Sequence, residues 1–589
     1  MKKLVFSILI VLLAIVGAKM ILDRRGTASS IAATLAPGDT VLLLHLPDAR
    51  RTGDRWKNTV LAKIANEPAV QAFLKKPREK MTGGGALQKQ IEQLLACDPR
   101  EVFVAVTAPD GAEPGMLAGF LSDGKKSSVD ALFDSLKAEA RRTSPGGKSD
   151  RIKHGITEIE TFTGGGSVFA VATQGRWCFA GNDLDLLKAA LDRLGGKPNG
   201  TVLRDAPEFK SSLDRMPRDY EAMVFLQPKA LLARMGPMLP MDGKQVADLK
   251  KIRALTFATK IEGDRMRDTM FVLRPDAPKQ PPLGRGALAM TSTDTLLFFD
   301  TRLQTPVNPD PKKNPALAVV PEIGGEWLGW FERLAKELSA AGGELGVQMD
   351  LESGAMQPGL LVSMETRDAV SAEKLAVALA ASPGEAGAWK RGQLDGAPLY
   401  TLTLSGIAAM FSPVMVVSDR FVLLGLDQET LKSAMSRAKT NPGGALTKNA
   451  DFHRAEGLVR KPTGAFGYAD TRVLFQRIYE TAKPALVLWL AMSPEAGKNV
   501  DAGKLPPVEA IAKHLGPVVY SQTAVENGTL SESVGPVTFG QALLGMLGGG
   551  AAAALPLMQD QIQQMVPALP GKSAQPATPS KPASPHDPR

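Results

Sequence analysis

Histidine is the side chain best suited to metal binding and to proton transfer near neutral pH, so the five histidines are the first residues to test. No two of them have the spacing of a helical zinc site, and no HExxH segment is present, so no metal site is predicted. His45 stands in an apolar strand pattern, which favours a hydrogen-bonded core or edge residue over a catalytic base. The five are His45, His154, His453, His514 and His586.

The glycine-rich and nucleophile motifs of the sequence are incomplete. GGKS at 146–149 ends like a phosphate loop, but Arg142 occupies the position of the first glycine, and GKS at 571–573 fails in the same way at Val566. No GxSxG segment occurs, and the SxxK matches at Ser371 and Ser436 lie within helix patterns without companion motifs. The sequence therefore predicts no catalytic residues and no bound cofactor.

Two other residue pairs could do chemistry. Glu158 and Glu160 are two residues apart in a strand pattern and share a face, as glycosidase carboxylates might, but nothing else supports that activity. Trp327 and Trp330 share one face of an amphipathic segment, where core packing is favoured over a membrane-surface or ligand contact.

Cys97 and Cys178 are the only cysteines, which suits an exported protein. Each adjoins a strand pattern in the first half of the chain. The spacing leaves two alternatives open, a Cys97–Cys178 disulfide or two thiols, because sequence does not give the distance between the Cα atoms.

The amino-acid composition makes some classes of ligand less suited to this chain than others. The chain of 589 residues is 44% hydrophobic, 22% charged and 5% aromatic, so it can bury large cores but offers few aromatic platforms for sugars or bases. Its net charge is +9, yet its lysines and arginines are dispersed and form no basic stripe. We therefore predict no nucleic-acid partner, while contact with an acidic lipid or polymer stays an alternative to a solvated surface.

The first 25 residues indicate the compartment. Met1-Lys2-Lys3 precedes an apolar run from Leu4 to Ala18 that ends in a small-residue pattern, which is typical of a secretory signal with cleavage after Ala18. Alternatively the run continues to Leu22 and stays as a signal anchor in the inner membrane. Both alternatives place the bulk of the chain on the periplasmic or extracytoplasmic side.

An internal repeat organises the rest of the chain. The segment from Phe169 returns from Val414 with an offset of 244 residues, so that Gly181 matches Gly425. The match extends outward to domain size and predicts a tandem duplication, with copy A at 35–276 and copy B at 288–530. Copy B carries an insertion after Arg477 that includes residues 484–515, where a functional difference between the copies would lie. We expect two lobes that face each other or stack.

Local patterns give the fold class. Within each copy, strand hairpins alternate with short helices, which predicts an α+β fold: a largely antiparallel sheet with helices on one face. A helix with Leu184, Leu187 and Leu191 on one face should begin after Asp183 and end at Gly195, and Asp427 should cap its counterpart.

The chain ends in two segments of unusual composition. Residues 539–558 are rich in glycine and alanine and lack charge, which leaves open a second membrane helix or an apolar linker. The Pro/Ala/Ser-rich tail at 567–589 is predicted to be disordered.

Three segments carry a family resemblance. LAPGDTVLLLHLPDARRTGDRWKNTVLAKIANEPAVQAFL, ADTRVLFQRI and SESVGP, together with the N-terminal apolar run, resemble a widespread family of uncharacterised, exported, membrane-anchored bacterial envelope proteins. The resemblance implies an envelope location. It implies no activity and no functional residue.

These observations favour a non-enzymatic cell-envelope protein, a membrane-tethered scaffold or binding module facing the periplasm. One alternative is a carrier of lipid or another apolar ligand in a groove between the two lobes, lined by Leu, Met and Val. A second alternative is an enzyme with a motif-free active site. The sequence leaves the protein partner, the ligand and the oligomeric state open.

Overall fold

The computed structural model describes residues 31–81, 92–108, 114–143, 146–164, 167–197, 199–235, 249–302, 333–334, 336–338, 340–350, 359–381, 389–403, 413–492 and 501–541. The predicted signal segment, Trp327, Trp330, residues 542–558 and the predicted tail lie outside these ranges. Within them, no helix combines the length and the apolar character that crossing a membrane requires.

Ten strands form the first half of the sheet. They are β1 (Thr40–Leu46), β2 (Pro99–Thr107), β3 (Met116–Ser122), β4 (Lys148–His154), β5 (Thr157–Gly164), β6 (Ser167–Gln174), β7 (Trp177–Gly181), β8 (Ala222–Leu226), β9 (Ala254–Glu262) and β10 (Arg265–Leu273). Counted from the outer edge, their order is β4-β5-β6-β7-β3-β2-β1-β8-β9-β10, and every pair is antiparallel.

Ten further strands form the second half. They are β11 (Thr295–Arg302), β12 (Gly342–Asp350), β13 (Gly359–Thr366), β14 (Trp389–Leu394), β15 (Ala397–Leu402), β16 (Val414–Ser418), β17 (Phe421–Gly425), β18 (Ala465–Asp470), β19 (Pro517–Val525) and β20 (Gly528–Gly535). From the opposite edge they run β14-β15-β16-β17-β13-β12-β11-β18-β19-β20, again all antiparallel. The two halves therefore have the same strand order, and β20 extends to Gly535, past the boundary predicted at residue 530.

The two halves meet strand to strand. β10 pairs with β20 from Met266↔Gly535 to Leu273↔Gly528, which joins all twenty described strands into one sheet. The expectation of lobes that face or stack is therefore wrong. Each half has one long strand at its inner edge, and pairing these two edges satisfies backbone groups that facing lobes would leave open.

Helices of 4 to 22 residues precede or connect the strands. They are α1 (Ala32–Leu35), α2 (Ala49–Trp56), α3 (Val60–Ala65), α4 (Pro68–Met81), α5 (Lys126–Thr143), α6 (Leu184–Leu194), α7 (Pro207–Leu213), α8 (Pro228–Met235), α9 (Ala369–Ala380), α10 (Gln428–Thr440), α11 (Ala450–Glu456), α12 (Thr471–Met492) and α13 (Val508–Ala512). A further helical turn covers residues 92–96.

Helices pack on both faces of the sheet, which corrects the prediction of helices on one face. In the first half, Phe179 of β7 lies in a core cluster with α6, whereas its neighbour Cys178 lies in a separate cluster with α5. Adjacent strand residues point to opposite faces, so the two helices cover opposite sides. In the second half, Val416 packs with α10 and Met415 with α9.

The predicted α6 boundaries are confirmed. Asp183 caps α6 by accepting hydrogen bonds from the backbone N–H groups of Asp185 and Leu186, and Gly195 follows the last residue of the helix. Asp427 caps α10 in the same way through Thr430. Capping and helical periodicity act within a few residues, which is why sequence alone located both helices.

The two outer strands are charged and exposed. In β4, Lys148, Arg151 and Lys153 are exposed, and Lys390 and Arg391 are exposed in β14. Each strand pairs with one described neighbour, so the other side of its backbone could template another chain. Lysine and arginine side chains oppose such edge-to-edge association.

We therefore expect the variant K148T/R151T/K153T to self-associate, because threonine favours strand pairing and removes the repulsion between edges. Size-exclusion chromatography with light scattering should show a mass that rises with concentration. The control variant K125T/K197T/R204T removes three exposed cations outside the strands. Equal behaviour of the two variants would contradict this account of the edges.

Candidate functional site

The structure keeps the described histidines apart. His154 hydrogen-bonds to Asp192 (2.9 Å), His514 to Glu67 (2.6 Å), and His45 lies in the interior, while His453 sits on α11. His586 lies outside the described residues. In the described ranges no group of three or more His, Cys, Asp or Glu side chains is arranged to hold a metal ion.

His45 belongs to a buried hydrogen-bonded network. Its Nδ1 lies 2.8 Å from the Tyr220 hydroxyl and its Nε2 lies 3.1 Å from a Glu101 carboxylate oxygen. His45 is 2% exposed and Glu101 1%, so no substrate reaches either side chain. The prediction that His45 is a hydrogen-bonded core residue is thereby confirmed.

Glu101 holds the segment that precedes β1. Its carboxylate accepts hydrogen bonds from the backbone N–H of Ala32 (2.9 Å) and of Ile31 (3.1 Å), at the beginning of α1. A helix start carries unsatisfied N–H groups that a carboxylate neutralises well. The Tyr220–His45–Glu101 network therefore holds the segment that follows the predicted membrane anchor onto the sheet.

The second half has an equivalent arrangement, in which a glutamate again holds the backbone but an aspartate replaces the histidine. Glu344 of β12 accepts hydrogen bonds from the backbone N–H of Gly284 (2.8 Å) and Arg285 (2.7 Å), just before β11. The position of His45, sixth in β1, is taken by Asp300, sixth in β11. Both first strands also have a register irregularity at the same place, between Thr40 and Leu42 and between Thr295 and Leu297.

Asp300 is a buried carboxyl group whose loss of hydration is poorly compensated by hydrogen bonds. It is 0% exposed, and neither carboxylate oxygen has a well-aligned hydrogen bond. Burial, reinforced by the nearby Glu344, raises the pKa of Asp300 to about 8. A carboxyl group in such a place stays neutral at pH 7 instead of ionising beside a second carboxylate.

Cys97 and Cys178 lie in the same buried core cluster. The structure holds them as thiols, and the Cys97 thiol donates to the Gln93 carbonyl oxygen (3.2 Å). Burial raises the pKa of Cys178 to about 12, so its thiol is unreactive in the folded protein. The disulfide stays one of the two alternatives that the sequence left open.

Glu158 and Glu160 are engaged in ion pairs. Glu160 contacts Lys137 of α5 (2.8 Å), and Glu158 contacts Arg151 of β4 (3.3 Å). The polar cleft that Glu160 and Lys137 line, about 470 Å³ in volume, also contains Arg141, Asp150 and Phe162. Its charges are largely matched, which favours stabilisation of the sheet edge over acid-base chemistry.

A second polar cleft lies where the two halves meet. It has a volume of about 400 Å³. The first half contributes Val60 of α3, Asp264 of the β9–β10 turn and Arg265 of β10. The second half contributes its other charged side chains, which are Asp451, Arg454, Arg472, Lys513 and His514. We call it the junction cleft.

Local structure explains how the junction cleft is assembled. The β9–β10 turn, with Gly263 at φ +70°, presents Arg265 at the start of β10. Asp470 accepts from the backbone N–H of Arg472 (3.1 Å) and so fixes the first turn of α12. The backbone N–H of Val60 donates to the Asp264 carbonyl oxygen (3.4 Å), which holds α3 against the turn.

Glu67 ties the two halves together beside the junction cleft. Its carboxylate contacts Lys513 (2.8 Å) and His514 (2.6 Å), which follow α13 in the predicted insertion. Hydrogen bonds from Lys513 and then His514 lower the pKa of Glu67, so it is ionised at neutral pH. The insertion therefore contributes to the contact between the two halves. The sequence indicated only that the insertion distinguishes the two copies.

The junction cleft carries an excess of positive charge. Four cations face two aspartates, but Asp451 pairs with Arg454 and Glu67 contacts Lys513, so the excess comes from Arg265 and Arg472. Such a surface attracts anions. Sequence reasoning missed it because its residues come from segments between residues 60 and 536 and form no local motif.

The burial of Asp300 should make the stability of the folded chain depend on pH. The folded chain holds this proton up to a pH of about 8, whereas an unfolded aspartate releases it near pH 4, so this group's contribution to stability falls as pH rises between these values. Asp300→Asn removes the titration. The melting temperature of Asp300→Asn minus that of the parent should therefore increase as pH rises from 5 to 8.5.

Differential scanning fluorimetry across this pH range measures the effect. Asp214→Asn, at an exposed aspartate, is the matched control and should follow the parent. A constant offset between Asp300→Asn and the parent at all pH values would contradict the raised pKa.

Comparison with known proteins identifies no family. No family model and no curated protein matches the chain. Among solved structures, it is similar to crystal form I of TP0453, with 10% identity over 43% of this chain and 81% of that one and a TM-score of 0.24. Crystal form III gives 10% identity over 43% and 83%, with a TM-score of 0.23. At this level the similarity assigns no function.

Proposed function

We propose that this chain is a non-enzymatic binding module of the cell envelope, tethered to the inner membrane by its N-terminal segment and facing the periplasm. The observation that carries the proposal is the junction cleft, an open and mainly basic surface built by both halves. Proteins bind partners or ligands at concave surfaces between structural units.

The buried ionisable groups support a non-catalytic role. Glu101 and Glu344 are occupied with backbone N–H groups, and His45 with Glu101 and Tyr220. Catalytic groups need contact with a substrate, and burial denies it to these residues. These buried polar groups therefore stabilise the fold.

We also propose that the two halves arose by tandem duplication of one domain. Support comes from their equal strand order, the matching irregularities in β1 and β11, and the equivalent carboxylates Glu101 and Glu344. The sequence offset of 244 residues is independent support. A duplicated, mainly structural repeat fits a scaffold.

The carrier hypothesis has less support. It requires a groove between the lobes lined by Leu, Met and Val, whereas about half of the residues that line the junction cleft are charged or are histidine. The interior beside the junction is filled: Phe271 of β10 and Leu530 of β20 are each 1% exposed in the same core cluster. Both observations favour the binding module.

Membrane tethering and export are tested with a reporter that is active only outside the cytoplasm, fused after Arg25 and, separately, after Arg589. The fusion after Arg25 should be active and should sediment with membranes. The fusion after Arg589 reports the side on which the tail ends: activity favours the apolar linker at 539–558, and inactivity favours a second membrane helix. Leu12→Arg, which places a charge in the apolar run, should abolish this activity, whereas the matched Leu12→Val should keep it. An inactive fusion after Arg25 in the unaltered sequence would contradict the proposed periplasmic location.

A further inference from the structure

We propose that the junction cleft binds a phosphate-bearing anion through Arg265 and Arg472. This inference names the ligand class of the binding module and rests on the proposed function. The same chemistry could come from a phospholipid headgroup or from free phosphate, and the experiment below distinguishes the two sources.

Arg265 supplies a guanidinium that the fold does not use. Its side chain is exposed at the start of β10, and in the described part of the chain no ion pair or hydrogen bond involves it. The neighbouring Asp264 carboxylate lies 3.7 Å from Lys63, so part of its charge is directed to α3. The Arg265 charge is therefore available to a ligand.

Arg472 supplies a second guanidinium in a fixed orientation. Its Nε donates to the Leu515 carbonyl oxygen (3.1 Å). That acceptor is neutral, so the bond orients the side chain without cancelling its charge. The terminal nitrogens form a planar fork that suits two oxygens of one phosphate.

The other cations of the cleft have carboxylate partners. Lys513 and His514 contact Glu67, and Arg454 pairs with Asp451. Their charge is largely matched by these carboxylates, so they are less available to a ligand than the two arginines. This division of roles predicts that Arg265 and Arg472 dominate binding.

Phosphate suits this arrangement better than a carboxylate ligand does. A phosphate group offers two or three oxygens that accept hydrogen bonds from arginine forks, and its charge is about −1 as a phospholipid diester and about −1.5 to −2 as a monoester at pH 7. The cleft volume of about 400 Å³ leaves room for a group attached to the phosphate. The net charge of +9 also favours approach of an anion.

The full chain in mild detergent is titrated by isothermal calorimetry with two probes: inorganic phosphate, and the water-soluble dihexanoyl phosphatidylglycerol, with dihexanoyl phosphatidylcholine as the headgroup comparison. We expect saturable binding of at least one anionic probe. Binding of inorganic phosphate indicates a soluble phosphate ligand. Binding of the phosphatidylglycerol probe alone, and not the phosphatidylcholine one, indicates a lipid headgroup.

Variants decide whether the junction cleft is responsible. Arg265→Gln and Arg472→Gln should each weaken binding tenfold or more, and Arg265→Lys should lie between, because it keeps the charge and loses the fork. Arg204→Gln, an exposed arginine outside the cleft, should stay within twofold of the parent. If Arg472→Gln does not fold, Arg265→Gln decides alone.

Two results would overturn the inference: no saturable binding of either anionic probe, or equal affinities for Arg265→Gln and Arg204→Gln. Neither result bears on export, which the reporter fusions measure separately. A chain that is exported and does not bind phosphate would thus refute the ligand class and leave the proposed location standing.

Discussion

The pairing of β10 with β20 is the interaction on which the rest of the structure depends. Without it, each half would expose a strand of nine or eight residues with its backbone hydrogen-bonding groups open to water or to another chain. Side-chain contacts add to the backbone hydrogen bonds between the two strands. Arg267 of β10 donates to the Leu458 carbonyl oxygen (3.1 Å) and contacts Glu532 of β20 (3.3 Å), and Leu530 enters the core of the first half.

Because the halves share a sheet, the junction cleft is a product of that pairing. Arg265 stands on one side of the joint and Arg472 on the other, and the Glu67 contacts to Lys513 and His514 close the same region from α4 and the insertion. A functional surface built this way needs both halves. Neither half alone holds the full set of charges.

Much of the local structure could be predicted from the sequence, and the larger arrangement could not. The caps Asp183 and Asp427 act over a few residues, and so do the hairpin turns. Strand pairing between residues 265–273 and 528–535 is set by contacts across more than 250 residues, for which the sequence holds no local signal. The residues of the junction cleft were missed for the same reason.

The error about the faces of the sheet has a different cause, because the signal was present. The runs VFVAV in β2 and VMVV in β16 are continuously apolar instead of alternating. Continuous apolar runs are typical of strands buried on both faces, whereas a sheet with helices on one face should alternate. Reading those runs in this way would have predicted helices on both sides.

The central claim is that the two halves form one sheet through β10 and β20, and amide hydrogen exchange of the native full chain tests it most directly. The account predicts that amides in 266–273 and 528–535 are protected as strongly as those of the interior strands β1 and β2. Exchange in these two segments as fast as in the outer strands β4 and β14 would contradict it.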